Sequence, residues 1–351
     1  MKYLLTTLPL ILLAGCAASE IELPQGSAAL GDPAKPVPAA METLVTTDPM
    51  VDADDPALWA DPRDPTRAVL FGTDKSDGLY VHDMDGKVRQ FLPDGPLNNV
   101  DLRTGFVVDG KEYVLVAATE RKQFGVLTYL FDPDTFEIRP YGFIATGAEF
   151  GEPYGFCTAK IDGNFYMIPN NKDGEVRVYR LENEAASASA TLERTLKVGS
   201  QPEGCVVDDK AKRLYVGEED VAIWRFDLTS GASTTPVMVA PVDGKHLTDD
   251  VEGLTIMRDR GTDYLIASSQ GDATYPVWRI EGDNYHYVGR FAVEGGDIDA
   301  VTGTDGLDAW SGAIGQFPEG AIAMHDTDDG DGQQNYKVVD WRKVREALSL
   351  R

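Results

Sequence analysis

Glu203-Gly204-Cys205-Val206-Val207, then Leu214-Tyr215-Val216-Gly217-Glu218-Glu219-Asp220, then Ala222-Ile223-Trp224-Arg225-Phe226 form a unit. An acid-glycine opening leads into one short apolar run, a second run ends in acids, and a third follows after a tight turn. Runs this short, rich in β-branched and aromatic residues and bounded by turn residues, read as antiparallel strands. The same unit recurs along the chain. Its openings are Asp55-Pro56-Ala57-Leu58, Asp101-Leu102, Tyr154-Gly155-Phe156, Glu203-Gly204-Cys205, Glu252-Gly253-Leu254 and Asp305-Gly306-Leu307. Spacing of roughly fifty residues is the period of propeller blades. The expected fold is therefore all-β, a six-bladed β-propeller of four-stranded antiparallel blades. One β-sandwich, or two in tandem, is the alternative, but neither explains an opening repeated at even intervals. Helical periodicity appears only near Val344-Arg345-Glu346-Ala347-Leu348. A strand from Glu42-Thr43-Leu44-Val45 is placed beside the last blade, closing the ring.

Outward from the repeats, the chain starts with an address. Lys2 precedes an apolar run from Tyr3 to Leu13, and Leu13-Ala14-Gly15-Cys16 follows. A short apolar region ending in small residues is a signal peptide rather than a membrane span. Leu-Ala-Gly-Cys resembles the bacterial lipobox, which makes Cys16 the lipidated first residue of the mature chain. Ala17 follows it, not the Asp that marks inner-membrane retention, so an outer-membrane anchor is expected in a Gram-negative host. The organisation read is signal peptide 1–15, flexible tether 16–40 rich in Ala, Pro, Gly and Ser, and propeller 41–351. A closed single domain suggests a monomer. With Cys16 set aside, Cys157 and Cys205 remain. An exported compartment permits a disulfide between them, and two buried thiols are the alternative. Without a CxxC pattern, a structural zinc site is not expected.

Asp and Glu number 58 against 32 Lys and Arg, a formal net charge of −26. Such a surface repels nucleic acid and anionic lipid, leaving the lipid anchor as the only expected membrane contact. It is also suited to collecting divalent cations. In a four-stranded antiparallel blade the first strand starts on the face where the second ends. The repeated openings thus share one rim with the turns after the second strands. That rim gathers Asp54, Asp55, Asp101, Glu203, Glu219, Glu252, Asp299, Asp305 and Asp326, and with them Lys75, Arg121 and Lys172. So many carboxylates do not remain ionised together without compensation. Oxygen-only ligands suit several Ca²⁺ ions better than zinc or copper. Bases on consecutive blades suit an anion carrying several phosphates.

The segments Asp52-Ala53-Asp54-Asp55-Pro56-Ala57-Leu58-Trp59, Leu97-Asn98-Asn99-Val100-Asp101-Leu102-Arg103, Val216-Gly217-Glu218-Glu219-Asp220 and Asp250-Val251-Glu252-Gly253-Leu254-Thr255-Ile256 resemble the β-propeller phytases. Ala267-Ser268-Ser269-Gln270-Gly271 and Thr304-Asp305-Gly306-Leu307-Asp308 extend the likeness to nearly the whole domain. The resemblance implies a calcium-dependent phosphomonoesterase acting on myo-inositol hexakisphosphate by direct attack of a calcium-bound water. It implies that Asp55, Glu203, Glu219 and Glu252, with Tyr154, surround calcium at the cleavage site. Lys75, Arg121 and Lys172 would bind phosphate. Glu42, Asp54, Asn98, Asn99, Asp101, Asp299, Asp305 and Asp326 are the other implied or candidate calcium ligands. Ser76 stands where such proteins have a second Lys, and Asp173 where they have Glu, departures that bear on phosphate affinity rather than reaction class. His82, His246, His286 and His325 sit in no Arg-His-Gly context, which argues against a phosphohistidine mechanism. A calcium-dependent lactonase on the same scaffold would leave the three bases without a purpose. A non-enzymatic propeller that binds calcium or a partner is the third reading, since fold alone does not fix function.

Overall fold

The structure is a computed structural model and describes residues 32–44, 51–182, 187–327 and 334–351. The expected signal peptide, Cys16 and most of the tether lie outside the described residues.

Alternation along each strand explains the architecture. In the first blade, Ala57, Trp59, Val69 and Phe71 pack towards blade two. Leu58, Ala60, Ala68 and Leu70 pack the other way, onto the last blade. A sheet apolar on both faces must be covered on both faces, and a ring of such sheets covers each one with its neighbours. Six separate apolar cores result, one between each pair of adjacent blades. The inner strands are Ala53–Asp61, Leu97–Val108, Pro153–Ile161, Pro202–Asp208, Val251–Asp259 and Leu307–Ser311. Each touches the next, and the sixth touches the first, so the ring is closed.

Closure uses both ends of the chain. An N-terminal strand closes blade six as expected, but it is Met41–Glu42, pairing antiparallel with Asn335–Asp340, rather than the segment from Glu42 onward. Thr43 and Leu44 are not in strand, and Val45 lies outside the described residues. Blade five departs from the four-stranded plan, because Lys35–Pro38 adds a fifth strand parallel to its outer strand, Asn284–Glu294. Val37 of this strand is buried in the core between blades five and six. The packed fold thus begins ahead of the expected boundary at 41. The expected helix spans Trp341–Ala347. It is capped by Asp340, whose side chain accepts from the Arg342 amide at 2.9 Å, and is anchored through buried Trp341 and Val344. Cys157 and Cys205 form a disulfide joining the inner strands of blades three and four. Closing a loop of 48 residues constrains the unfolded chain by about 4 kcal/mol in the loop-entropy account.

Candidate metal and phosphate site

The rim is built by a repeated irregularity. In five inner strands the pairing with strand two skips. Ala53 pairs with Asp74 and Pro56 with Gly72, Leu97 with Glu120 and Val100 with Ala118, Pro153 with Asn171 and Phe156 with Pro169. Blades four and five skip likewise, between Pro202 and Cys205 and between Val251 and Leu254. Two residues therefore face one, which is a β-bulge that re-aims side chains at a strand end. The bulged pairs are Asp54-Asp55, Asn98-Asn99, Tyr154-Gly155, Glu203-Gly204 and Glu252-Gly253.

The glycines are required by close approach. A Cβ on Gly155 would collide with the Glu203 carbonyl oxygen, one on Gly204 with that of Glu252, and one on Gly306 with the Asp55 carboxylate. Each bulge nests on the next blade's bulge, which draws the preceding acids towards the propeller axis. In four of the five bulges the freed amide is caught by a strand-two side chain; in blade four the facing residue is Gly217. Asp55 N donates to Thr73 Oγ1 at 3.0 Å, Asn99 N to Thr119 Oγ1 at 3.2 Å, Gly155 N to Asn170 Oδ1 at 2.9 Å and Gly253 N to Ser268 Oγ at 2.6 Å. Three of these side chains also donate to the opening of the next blade. Thr119 reaches the Tyr154 carbonyl, Asn170 that of Glu203 and Ser268 that of Asp305, each at 2.7 Å. The site residues are thus fixed by backbone bonds between blades.

Glu203, Glu219 and Glu252, from blades four and five, converge so that one oxygen of each lies within 4.8 Å of the others. All three are buried. Asn98 Nδ2 donates to Glu203 Oε1 at 2.7 Å, and Gln201 Nε2 holds Glu219 at 2.8 Å. Burial, helped by the charge of Glu203, pushes the Glu252 carboxyl well above the usual range. Burial likewise lifts Glu219 to about 7, with Glu203 and Asp250 adding to it against the Gln201 hydrogen bond. Asp54 is raised by burial and by Glu203 and Asp305, although Lys75 opposes this. Burial and the charges of Glu203 and Glu252 raise the Tyr154 phenol. Two buried acceptors there, Asp54 Oδ2 and Asn98 Oδ1, have no hydrogen-bond donor. Clustered carboxylates that resist ionisation, with orphaned oxygens beside them and no nitrogen or sulfur ligand among the three glutamates, fit a hard cation.

The bases are placed unevenly. Lys75 bridges two carboxylates, with Nζ 3.0 Å from Asp54 Oδ1 and 2.9 Å from Asp305 Oδ2. Arg121 and Lys172 meet on the other side of Tyr154. Lys172 Nζ lies 4.4 Å above the Tyr154 ring, and Arg121 Nε bonds Glu152 at 2.6 Å.

Two expected ligand groups fall elsewhere. Asp101 lies two residues beyond the bulge, because the uncharged pair Asn98-Asn99 occupies the blade-two opening. Its carboxylate accepts from Thr158 N at 2.7 Å and pairs with Arg103 at 3.1 Å, in the central channel cavity of about 150 Å³. Asp299 and Asp326 gather around the buried Lys337, whose Nζ is 3.0 Å from Asp299 Oδ1 and bonds Asp326 Oδ2. Glu42 is the strand partner of Lys337. One ammonium is shared by the two aspartates there, so their charge is only partly balanced. Residues that the acid count passed over include Gln201, Asp250 and Glu152. The first two flank repeated acids, but Glu152 belongs to no repeat.

The fold and this face together define a β-propeller whose rim carries a buried cluster of three glutamates with basic side chains close by. A family model described as Phytase matches residues 2–350. The chain is 35% identical over 322 residues to the 3-phytase of Bacillus subtilis (strain 168), covering 86% of this chain and 84% of the relative. The chain belongs to the phytase family, and it is a phosphate-ester hydrolase. Among solved structures, the β-propeller domain of Cps50 (Swd1) from Myceliophteria thermophila matches with a TM-score of 0.50 and 10% identity, covering 86% of this chain and 85% of that one. That likeness concerns the fold alone.

Proposed function

We infer that the protein releases phosphate from myo-inositol hexakisphosphate at the Glu203–Glu219–Glu252 centre in a calcium-dependent reaction. The observation that carries this is the convergence of three buried glutamates beside two orphaned acceptor oxygens. Glu203, Glu219 and Glu252, with Asp54 and Asn98 alongside, would hold the cations. Calcium, when bound, supplies charge neutralisation for an anionic substrate and makes water more acidic. The chain's own groups do the rest. Arg121 and Lys172 bind and orient phosphate oxygens by charge-assisted hydrogen bonds. Tyr154, packed beneath Lys172 and with its phenol pKa raised by burial and by the charges of Glu203 and Glu252, joins the bases to the carboxylates. Water attacks phosphorus directly, so no phosphoenzyme is required. The test is phosphate release from the hexakisphosphate with calcium and with chelator. Release in calcium, falling at least about a hundredfold in chelator, is expected. Equal rates in the two would end the calcium reading.

We further propose export and lipid anchoring through Cys16. No helix among the described residues is long and apolar enough to cross a membrane. Labelled fatty acid should be incorporated into the wild-type chain and not into Cys16→Ser. An unlabelled wild type would refute the anchor.

A further inference from the structure

Glu152 lies two places before Tyr154, in the turn leading into the inner strand of blade three. Both rim bases meet it. Arg121 Nε, from blade two, is 2.6 Å from Glu152 Oε1, and Lys172 Nζ, from blade three, is 3.8 Å from the same oxygen. An anionic oxygen shared by a guanidinium and an ammonium is the arrangement a phosphate oxygen adopts between such groups. The side chains of Glu152, Arg121 and Lys172 are 35%, 27% and 41% exposed, so a solute can reach all three. They are also close to the glutamate cluster, since Lys172 stands over the ring of Tyr154, whose phenol pKa is raised by burial and by the charges of Glu203 and Glu252.

We propose that Glu152 is a resident anion in the Arg121–Lys172 phosphate subsite. Substrate phosphate displaces it, and it thereby sets which anions bind. This rests on the phosphate-hydrolase reading of the site. Three features support displacement over a fixed structural role. A half-buried ion pair still open to solvent is partly screened by water, so the carboxylate leaves at modest cost. The preceding Gly151 has φ +77° with open space around its Cβ position, so the turn can move without collision. Glu152 has a single negative charge, whereas a phosphate ester near neutral pH has nearly two and offers three acceptor oxygens. A monoanionic solute gains little by replacing Glu152, but a phosphate dianion gains both charge and hydrogen bonds. The bases are thus kept apart from their substrate by a competitor of intermediate strength.

The test is Glu152→Gln, which keeps shape and removes charge. Inorganic phosphate binding, measured by calorimetry in calcium, is expected to tighten about fivefold. KM for the hexakisphosphate should fall by a similar factor, with KM rather than kcat carrying the rise in kcat/KM. Acetate and chloride, inert towards the wild type, should become measurable competitors. In an Arg121→Gln background the same change should tighten phosphate less, because one of the two bases freed by it is gone. Weaker phosphate binding in Glu152→Gln would show that Glu152 positions Arg121 instead. Unchanged binding would show a bystander. Either result overturns the proposal. Phosphate binding is read without turnover, so these outcomes stay separate from a failure of the hydrolase reading, which would appear as no release by the wild type. Unchanged melting temperature in Glu152→Gln excludes misfolding as the cause.

Discussion

Glu203→Gln is expected to lower kcat about a thousandfold or more while leaving the calcium-free protein as stable as the wild type, or more stable. The two effects have opposite signs because Glu203 has two conflicting roles. Its carboxylate sits among Glu219, Glu252 and Asp54, and its charge raises all three of their pKa values. Removing that charge relieves repulsion in the empty site. It also removes one of the three converging carboxylates proposed to hold the metal, and a negative charge that acts on Tyr154. Glutamine retains the shape, and the bonds that fix the backbone do not involve the carboxylate. Asn170 Nδ2 still holds the carbonyl at 2.7 Å, and Gly204 still nests on the Glu252 carbonyl. The measurement is kcat with saturating calcium, alongside the melting temperature in chelator. Activity within tenfold of wild type would mean that the centre lies elsewhere. A lost activity accompanied by a lower melting temperature in chelator would mean that Glu203 supports the fold, not the chemistry.

Most of the fold could be read from the sequence because two periodicities coincide. Apolar alternation marks the strands, and the acid-glycine opening marks where each blade begins. The glycine has a physical reason visible at Gly155 and Gly204, where nesting bulges leave no room for a Cβ. Where a blade used other residues, the reading slipped. Counting acids selected Asp101 in blade two, because Asn98-Asn99 carries no charge to count, and only the strand register shows that this pair is the bulge. Lys-Pro-Val-Pro at 35–38 reads as tether since proline weakens a ladder. An edge strand tolerates it, and that is where this segment pairs. The Cys157–Cys205 bridge was one of two possibilities until the two inner strands were seen side by side. Lys75 and Lys172 look alike as charges in the sequence but have different surroundings, Lys75 lying between two aspartates and Lys172 over the Tyr154 ring. Whether a base faces substrate or saturates neighbouring acids depends on contacts from distant blades, such as Lys75 to Asp305. Glu152 was invisible for the same reason, since its importance comes from Arg121 and Lys172 and not from its own surroundings in the chain.

Calcium should change not only the stability of the protein but the direction in which stability responds to pH. In the calcium-free fold, burial raises Glu219 from its usual 4.5 to about 7 and pushes Glu252 and Asp54 up as well. These groups keep protons that the unfolded chain releases near pH 4 to 4.5. The folded state therefore binds more protons than the unfolded state between the two values. The stability these groups contribute is fully present below about pH 4.5 and, for Glu219, is lost as pH rises through about 7. Bound calcium reverses the sign. It binds the folded state and needs the carboxylates ionised, so its stabilisation grows across the same window as protons are displaced. Melting temperatures recorded from pH 5 to pH 8 should thus nearly coincide with and without calcium at the acid end. They should separate by ~10 °C or more at pH 8. Isothermal titration should show protons released on calcium binding at pH 6 and few at pH 9. Two parallel melting curves, equally spaced at every pH, would mean that calcium does not bind at the glutamate cluster. A calcium-free protein that grows steadily more stable up to pH 8 would mean that the carboxylates are ionised without it, and the case for a cation at this rim would lose its electrostatic basis.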